Sequence, residues 1–127
     1  MSGATTGGAI LAIEDEVRNI ALLRAILEPA GYDLTIAANL AEARAWLRER
    51  APSLVLLDRH LPDGDGLDLA RELKAAPPTA EVPILLVSAS VLPVDRVAAE
   101  AAGCDGFLDK PLRVGVVLET VERFVPR

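Results

Sequence analysis

At 127 residues with a formal net charge of −6, the chain is long enough for one compact domain and leaves no room for a second. Hydrophobic residues make up 51% and aromatics only 3%, so the core is built from Ala, Val, Leu and Ile, which suits parallel strands covered by helices on both faces. The acidic balance, in large part solubilising surface, argues against a nucleic-acid partner; the lone Cys104 rules out an internal disulfide and suits a reducing cytoplasm; and no apolar run is long enough to cross a membrane.

Segment 1–8 is small and polar, without the basic start and apolar centre of a secretory signal, and is expected to be a flexible leader before a domain over 9–127. Ala9-Ile10-Leu11-Ala12-Ile13 is a candidate buried strand that stops at Glu14-Asp15-Glu16. The spacing of Ile20, Leu23 and Leu27 predicts a helix from about Val17 to Glu28, closed by Pro29 and Gly31. Asp33 to Ala37 is a weaker strand that suits a sheet edge. Asn39 is placed as the N-cap of a helix to about Arg50, with Leu40, Ala43, Trp46 and Leu47 on one face and Pro52 beyond its end.

Leu54 to Leu57 is the third strand, stopped by Asp58. Asp65 to about Ala75 reads as a helix with Leu67, Leu69, Ala70 and Leu73 inward, and Pro77-Pro78 forces a loop. Val82 to Val87 is the fourth strand, ending at Ser88. Pro93 opens a helix to Ala102 that Gly103 closes. A short strand, Asp105 to Leu108, runs into Asp109-Lys110-Pro111, and a final helix from about Leu112 to Phe124 has Val114, Val117, Leu118 and Val121 at core spacing. Strict alternation of strand and helix implies parallel strands joined by right-handed crossovers, in a three-layer α/β sandwich.

The informative positions are the strand ends. Glu14-Asp15 follow the first strand, Asp58 the third, Ser88 the fourth and Lys110 the fifth, and in a parallel sheet all of them share the carboxyl edge, where such folds place ligands. With strand order 2-1-3-4-5 the first and third strands are neighbours, which brings Glu14, Asp15 and Asp58 together. Carboxylates so grouped repel one another unless a cation is present, and Mg²⁺, a hard ion that takes a few carboxylates and keeps several waters, suits them. Lys110 adds a point charge and Ser88 a small hydroxyl, which completes a pocket for a tetrahedral dianion. A carboxylate in that setting can attack a phosphoryl group in line to give an acyl phosphate, and Asp58, at the centre, is the best candidate nucleophile.

These residues resemble the receiver domains of bacterial two-component response regulators, from Ile10 to Val125. The resemblance rests on Ile-Leu-Ala-Ile-Glu14-Asp15-Glu, on Leu-Val-Leu-Leu-Asp58-Arg-His-Leu-Pro-Asp-Gly-Asp-Gly, on Leu-Val-Ser88-Ala and on Gly-Phe-Leu-Asp-Lys110-Pro111, in the family's order and on the expected elements. It implies a five-stranded parallel sheet of order 2-1-3-4-5 and a phosphoacceptor, Asp58, served by a sensor histidine kinase or histidine phosphotransfer protein. Mg²⁺ would be held by Asp15, Asp58 and the backbone carbonyl of His60, with Glu14 through water. The Lys110-Pro111 peptide is expected to be cis. On phosphorylation Ser88 would move toward the phosphoryl group and Phe107 would change rotamer, altering the surface of the fourth helix, fifth strand and fifth helix. Two departures stand out: Glu14 replaces the commoner first Asp, and Phe107 stands where a Tyr is frequent. His60 and Ser90 lie where family members tune dephosphorylation. The tail and last helix resemble single-domain regulators of cell-cycle and phosphorelay circuits, so output is expected through contact with a downstream protein or through relay, in the cytoplasm.

Other residues read more plainly. His60, without a second His or Cys nearby, is a loop residue shaping the pocket rather than a metal ligand through its ring. Cys104 is a small core residue, Trp46 packs a helix, and Arg59 either steers a phosphodonor or is solvated. Val91, Leu92 and Val116 are surplus to the inner faces and suit either a partner or homodimer interface or partial burial. Three other functions would place different demands on these residues. A phosphatase of the haloacid dehalogenase type wants a second Asp where His60 stands. A flavodoxin-like module wants a phosphate loop where Glu14-Asp15-Glu16 would repel the phosphate. A degenerate receiver acting without phosphorylation is harder to dismiss, although all the core site residues are present.

Overall fold

Runs such as Leu54-Val55-Leu56-Leu57 carry apolar side chains on both faces, and a strand of that kind is satisfied only inside a sheet covered on both sides. In the computed structural model, which describes residues 8–89 and 92–127, β1 (Ala9–Ile13), β2 (Asp33–Ala37), β3 (Leu54–Asp58), β6 (Ile84–Ser88) and β7 (Gly106–Asp109) form one sheet. All its pairings are parallel, in the order β2-β1-β3-β6-β7. This is the predicted order 2-1-3-4-5, with the edge position of β2 as expected. A two-stranded antiparallel hairpin, β4 (His60–Leu61) with β5 (Gly64–Asp65), follows β3 and was not predicted. Leu61-Pro62-Asp63-Gly64 carries its signal, with Pro in the second and Gly in the last place of the turn.

Alternate residues of each strand feed two cores. Ile10, Ala12, Leu54, Leu56, Leu85 and Val87 pack with α1 (Val17–Leu27) and α5 (Val114–Phe124) on one face. Leu11, Ile13, Val55, Leu57, Ile84 and Leu86 pack with α2 (Leu40–Leu47), α3 (Gly66–Ala75) and α4 (Pro93–Ala101) on the other. The inner faces expected for α2 and α3 are the observed ones, with Trp46 and Leu47 packed at the margin. Gly103, at φ +99°, closes α4, and Cys104 is buried as expected of a core residue. Burial pushes its thiol up to about 11.

Some boundaries differ from expectation. α2 stops at Leu47 rather than near Arg50. β6 begins at Ile84, because Pro83 has no N–H for the ladder, although its carbonyl accepts from Val55 N at 3.0 Å. The last helix starts at Val114, so Leu112 drops into the core while Val114 is 57% exposed, which corrects its predicted inward placement. Leu92 and Val116 are exposed, whereas Val91 lies outside the described residues. Of the expected leader 1–8, only Gly8 is described, and its carbonyl accepts from Asp33 N at 3.0 Å. No described helix is long and apolar enough to cross a membrane.

Candidate functional site

The carboxyl ends of β1, β3, β6 and β7 meet at one edge, and the register sets which side chains face each other. Ile13 pairs with Leu57, so Glu14, the residue after β1, and Asp58, the last of β3, stand side by side. Asp58 pairs with Val87, and Ser88 with Asp109. Glu14 is 2% exposed and Asp58 5%, whereas Asp15 lies open to solvent. Oxygens of these three carboxylates all lie within 4.8 Å of one another. The sequence expected this grouping, and the β1–β3 register produces it.

Lys110 answers part of this charge. Its Nζ donates to Asp58 Oδ2 at 3.0 Å and stands 3.5 Å from Glu14 Oε1. Its backbone N–H donates to the Ser88 carbonyl at 3.0 Å, which ties β7 to β6, and the Lys110-Pro111 peptide is cis. Burial opposes the ammonium, but the hydrogen bond and charge of Asp58, aided by Glu14, outweigh it and hold the Lys110 pKa above its ordinary value. For Glu14 burial dominates and raises the pKa, with the charge of Asp58 acting the same way. The Glu16 N–H, at 3.0 Å, and Lys110 work against the rise. Three carboxylates and one ammonium leave two negative charges in excess, and hard oxygen donors at this spacing fit a small divalent cation such as Mg²⁺.

The β3–α3 connection fixes Asp58 from the other side. His60 N donates to Asp58 Oδ1 at 3.2 Å while the rest of His60 stands exposed on β4. Gly66 is set by close approach: a Cβ there would lie 2.3 Å from the Asp58 carbonyl oxygen. Gly66 N donates to the Arg59 carbonyl at 2.8 Å, and Asp65 caps α3 through Leu67 N at 2.9 Å. Asp63, on the hairpin turn, accepts from Leu40 N at 2.8 Å and Ala41 N at 3.0 Å, so the hairpin caps α2 alongside Asn39. Those N–H groups hold the Asp63 carboxyl below its ordinary value.

Sequence reasoning missed three of these roles. Arg59, with a side chain 19% exposed, is neither solvated nor free: it pairs with Asp65 at 3.0 Å and with Asp95 at 3.8 Å. For Asp65, burial would raise the pKa, but the Leu67 N–H and Arg59 together lower it. Arg96 on α4 lies over the half-buried ring of Phe107, 4.5 Å from guanidinium carbon to ring centre, and pairs with Asp109 at 3.1 Å. Gly66 was read only as part of a motif. A glycine opening a helix directly after a capping Asp was the available signal; the Arg59–Asp95 and Arg96–Phe107 contacts had none, since packing brings their partners from other elements. Ser88 is half-buried at the end of β6, and Ser90 lies outside the described residues.

Known proteins share this fold and sequence pattern. The sequence profile of the response regulator receiver domain matches residues 10–122. The polar-differentiation response regulator DivK of Brucella anthropi is 29% identical over 117 residues, which is 92% of this chain and 95% of that protein. A putative response regulator from Chloroflexus aurantiacus superposes with a TM-score of 0.89 at 26% identity, covering 96% of this chain and 100% of that one. The receiver domain of a sensor histidine kinase from Pseudomonas aeruginosa, solved with a magnesium ion coordinated in its active-site cleft, superposes with a TM-score of 0.85 at 29% identity, over 94% and 98% of the two chains. With fold, site geometry and sequence profile in agreement over nearly its whole length, the chain belongs to the response regulator receiver domain family.

Proposed function

We propose that the domain over 9–127 is a phosphorylation switch in which Asp58 accepts a phosphoryl group from a sensor histidine kinase or a histidine phosphotransfer protein. The observation that carries this reading is the Asp58 carboxylate itself, buried at the end of β3 beside Glu14 and Asp15, with Lys110 Nζ at 3.0 Å from one oxygen. An Asp58 oxygen attacks phosphorus in line, the bond from phosphorus to the donor's imidazole nitrogen breaks, and that nitrogen leaves with the electron pair. Asp15, Asp58 and the backbone carbonyl of His60, with Glu14 through water, would hold Mg²⁺, which when bound supplies neutralisation of the transferred oxygens. Lys110 adds its charge to the same oxygens.

Ser88 then moves to the phosphoryl group and Phe107 changes rotamer, and the surface of α4, β7 and α5 passes the state to a downstream protein, to a second copy of the chain or along a relay. Leu92, Val94, Val97 and Val116 give that surface exposed apolar groups. The protein acts as a cytoplasmic switch rather than a turnover enzyme, and its site offers His60, not a second Asp, two residues after the nucleophile. The bulk of His60, exposed beside Asp58, lengthens the lifetime of the phosphoryl group by obstructing the hydrolytic water, and Ser90 is the second position that tunes dephosphorylation. Rapid autodephosphorylation that is unchanged in His60→Ala would sink that part of the reading. The central test is incubation with Mg²⁺ and acetyl phosphate followed by intact mass. One phosphoryl group per chain is expected; no gain, or a gain that survives Asp58→Ala, contradicts the proposal.

A further inference from the structure

Phe107 has no hydroxyl, so no hydrogen bond from its side chain can hold it in either rotamer, and its position depends on what packs against the ring. In the structure that partner is a cation. Arg96 lies 4.5 Å from the ring centre, and its Nη2 is anchored to Asp109 at 3.1 Å. The neighbouring Asp95 pairs with Arg59, the residue after Asp58, at 3.8 Å. Two adjacent residues in the first half of α4 thus tie the helix to β7 on one side and to the end of β3 on the other. Arg59, Ser88, Arg96 and Phe107 are among the residues that line a cavity of only about 10 Å³, with room for about one water and none for a phenyl ring.

We propose that Arg96 is a positioning residue that holds Phe107 where it stands, outside that cavity, and thereby sets how readily the site takes a phosphoryl group. This inference rests on Asp58 being the phosphoacceptor. Ser88 and Phe107 line the same cavity, so the ring enters only when Ser88 and α4 shift, and a cation bound to the ring in its present place weights the equilibrium against that shift. Loss of a partly exposed cation–ring contact changes such an equilibrium by about two- to fivefold.

The experiment compares the full chain with Arg96→Met, which keeps the apolar stem, and Arg96→Lys, which keeps the charge without the planar stack. Two readouts are taken: nuclear Overhauser contacts between the Phe107 ring and Ser88 without phosphodonor, and the initial rate of mass gain with Mg²⁺ and acetyl phosphate. Arg96→Met is expected to strengthen the ring–Ser88 contacts and raise the initial rate about two- to fivefold, with Arg96→Lys between. Removing a positive charge by itself would slow an anionic donor, so a faster rate is not an electrostatic side effect. Unchanged contacts, or a rate at or below wild type, overturn the proposal. A wild-type chain that gains no mass sinks the phosphoacceptor reading instead, and the ring contacts then decide by themselves whether Arg96 holds Phe107.

Discussion

The two halves of the carboxyl edge are held in place by forces of different size. On the β1–β3 side, Glu14 and Asp58 are buried, their oxygens accept N–H groups from Glu16 and His60, and Gly66 brings α3 against the Asp58 backbone. On the β6–β7 side, the first half of α4 is held by the Arg59–Asp95 and Arg96–Asp109 pairs and by a cation over the Phe107 ring, and Val94 and Val97 face solvent. Backbone hydrogen bonds and close packing fix a geometry, whereas partly exposed ion pairs contribute little and are easily exchanged. The fixed half suits a site that must present a nucleophile, and the loosely tied half suits an element with two states.

This contrast can be broken or sharpened by substitution. The largest effect is expected from Asp58→Asn, which should abolish the mass gain with acetyl phosphate while leaving the fold intact by circular dichroism. On the fixed side Leu57→Ala, at a fully buried position, should cost about 2–5 kcal/mol in urea unfolding. Gly66→Ala drives a Cβ onto the Asp58 carbonyl and should cost about 1–3 kcal/mol, with slower phosphorylation because the Asp58 backbone has to give way. A loss of stability without any loss of rate would show that Asp58 is positioned independently of α3.

Asp63 offers a pH test. Its folded pKa is lowered by the Leu40 and Ala41 N–H groups, so its contribution is present above the ordinary carboxylate value and is lost as pH falls through the folded value. The stability gap between wild type and Asp63→Asn should therefore be open at pH 7 and close under acid titration. A gap constant with pH would mean that the cap does not depend on charge. The smallest effect belongs to the loose side: Val97→Ser, on the exposed face of α4, should change stability by no more than about 0.5 kcal/mol. A larger loss would show that α4 is packed more tightly than its exposure implies.

Most of the fold was legible because apolar runs and amphipathic spacing are local signals: β1 and β2 run as predicted, and the order of elements follows from their alternation. The boundaries that moved did so where backbone chemistry overrode composition, as at Pro83, which cannot donate to a ladder, and at Leu112, which is apolar because it is buried rather than because it is helical. The hairpin after Asp58 was hidden by its two-residue strands, too short to show any period.

For the site, the sequence by itself determined the kinds of groups available and their places at strand ends: Glu14, Asp15, Asp58, Ser88 and Lys110. It did so because a charge that ends an apolar run marks the end of a strand, and the carboxyl ends of parallel strands share one edge. Tertiary structure alone decided how those groups meet, since the Glu14–Asp58 adjacency is a matter of register and the 3.0 Å contact of Lys110 joins residues 52 apart in sequence. The same holds for Arg59 with Asp95 and for Arg96 with Phe107. No local pattern marks an arginine whose partner is brought to it by the packing of a helix across two strands.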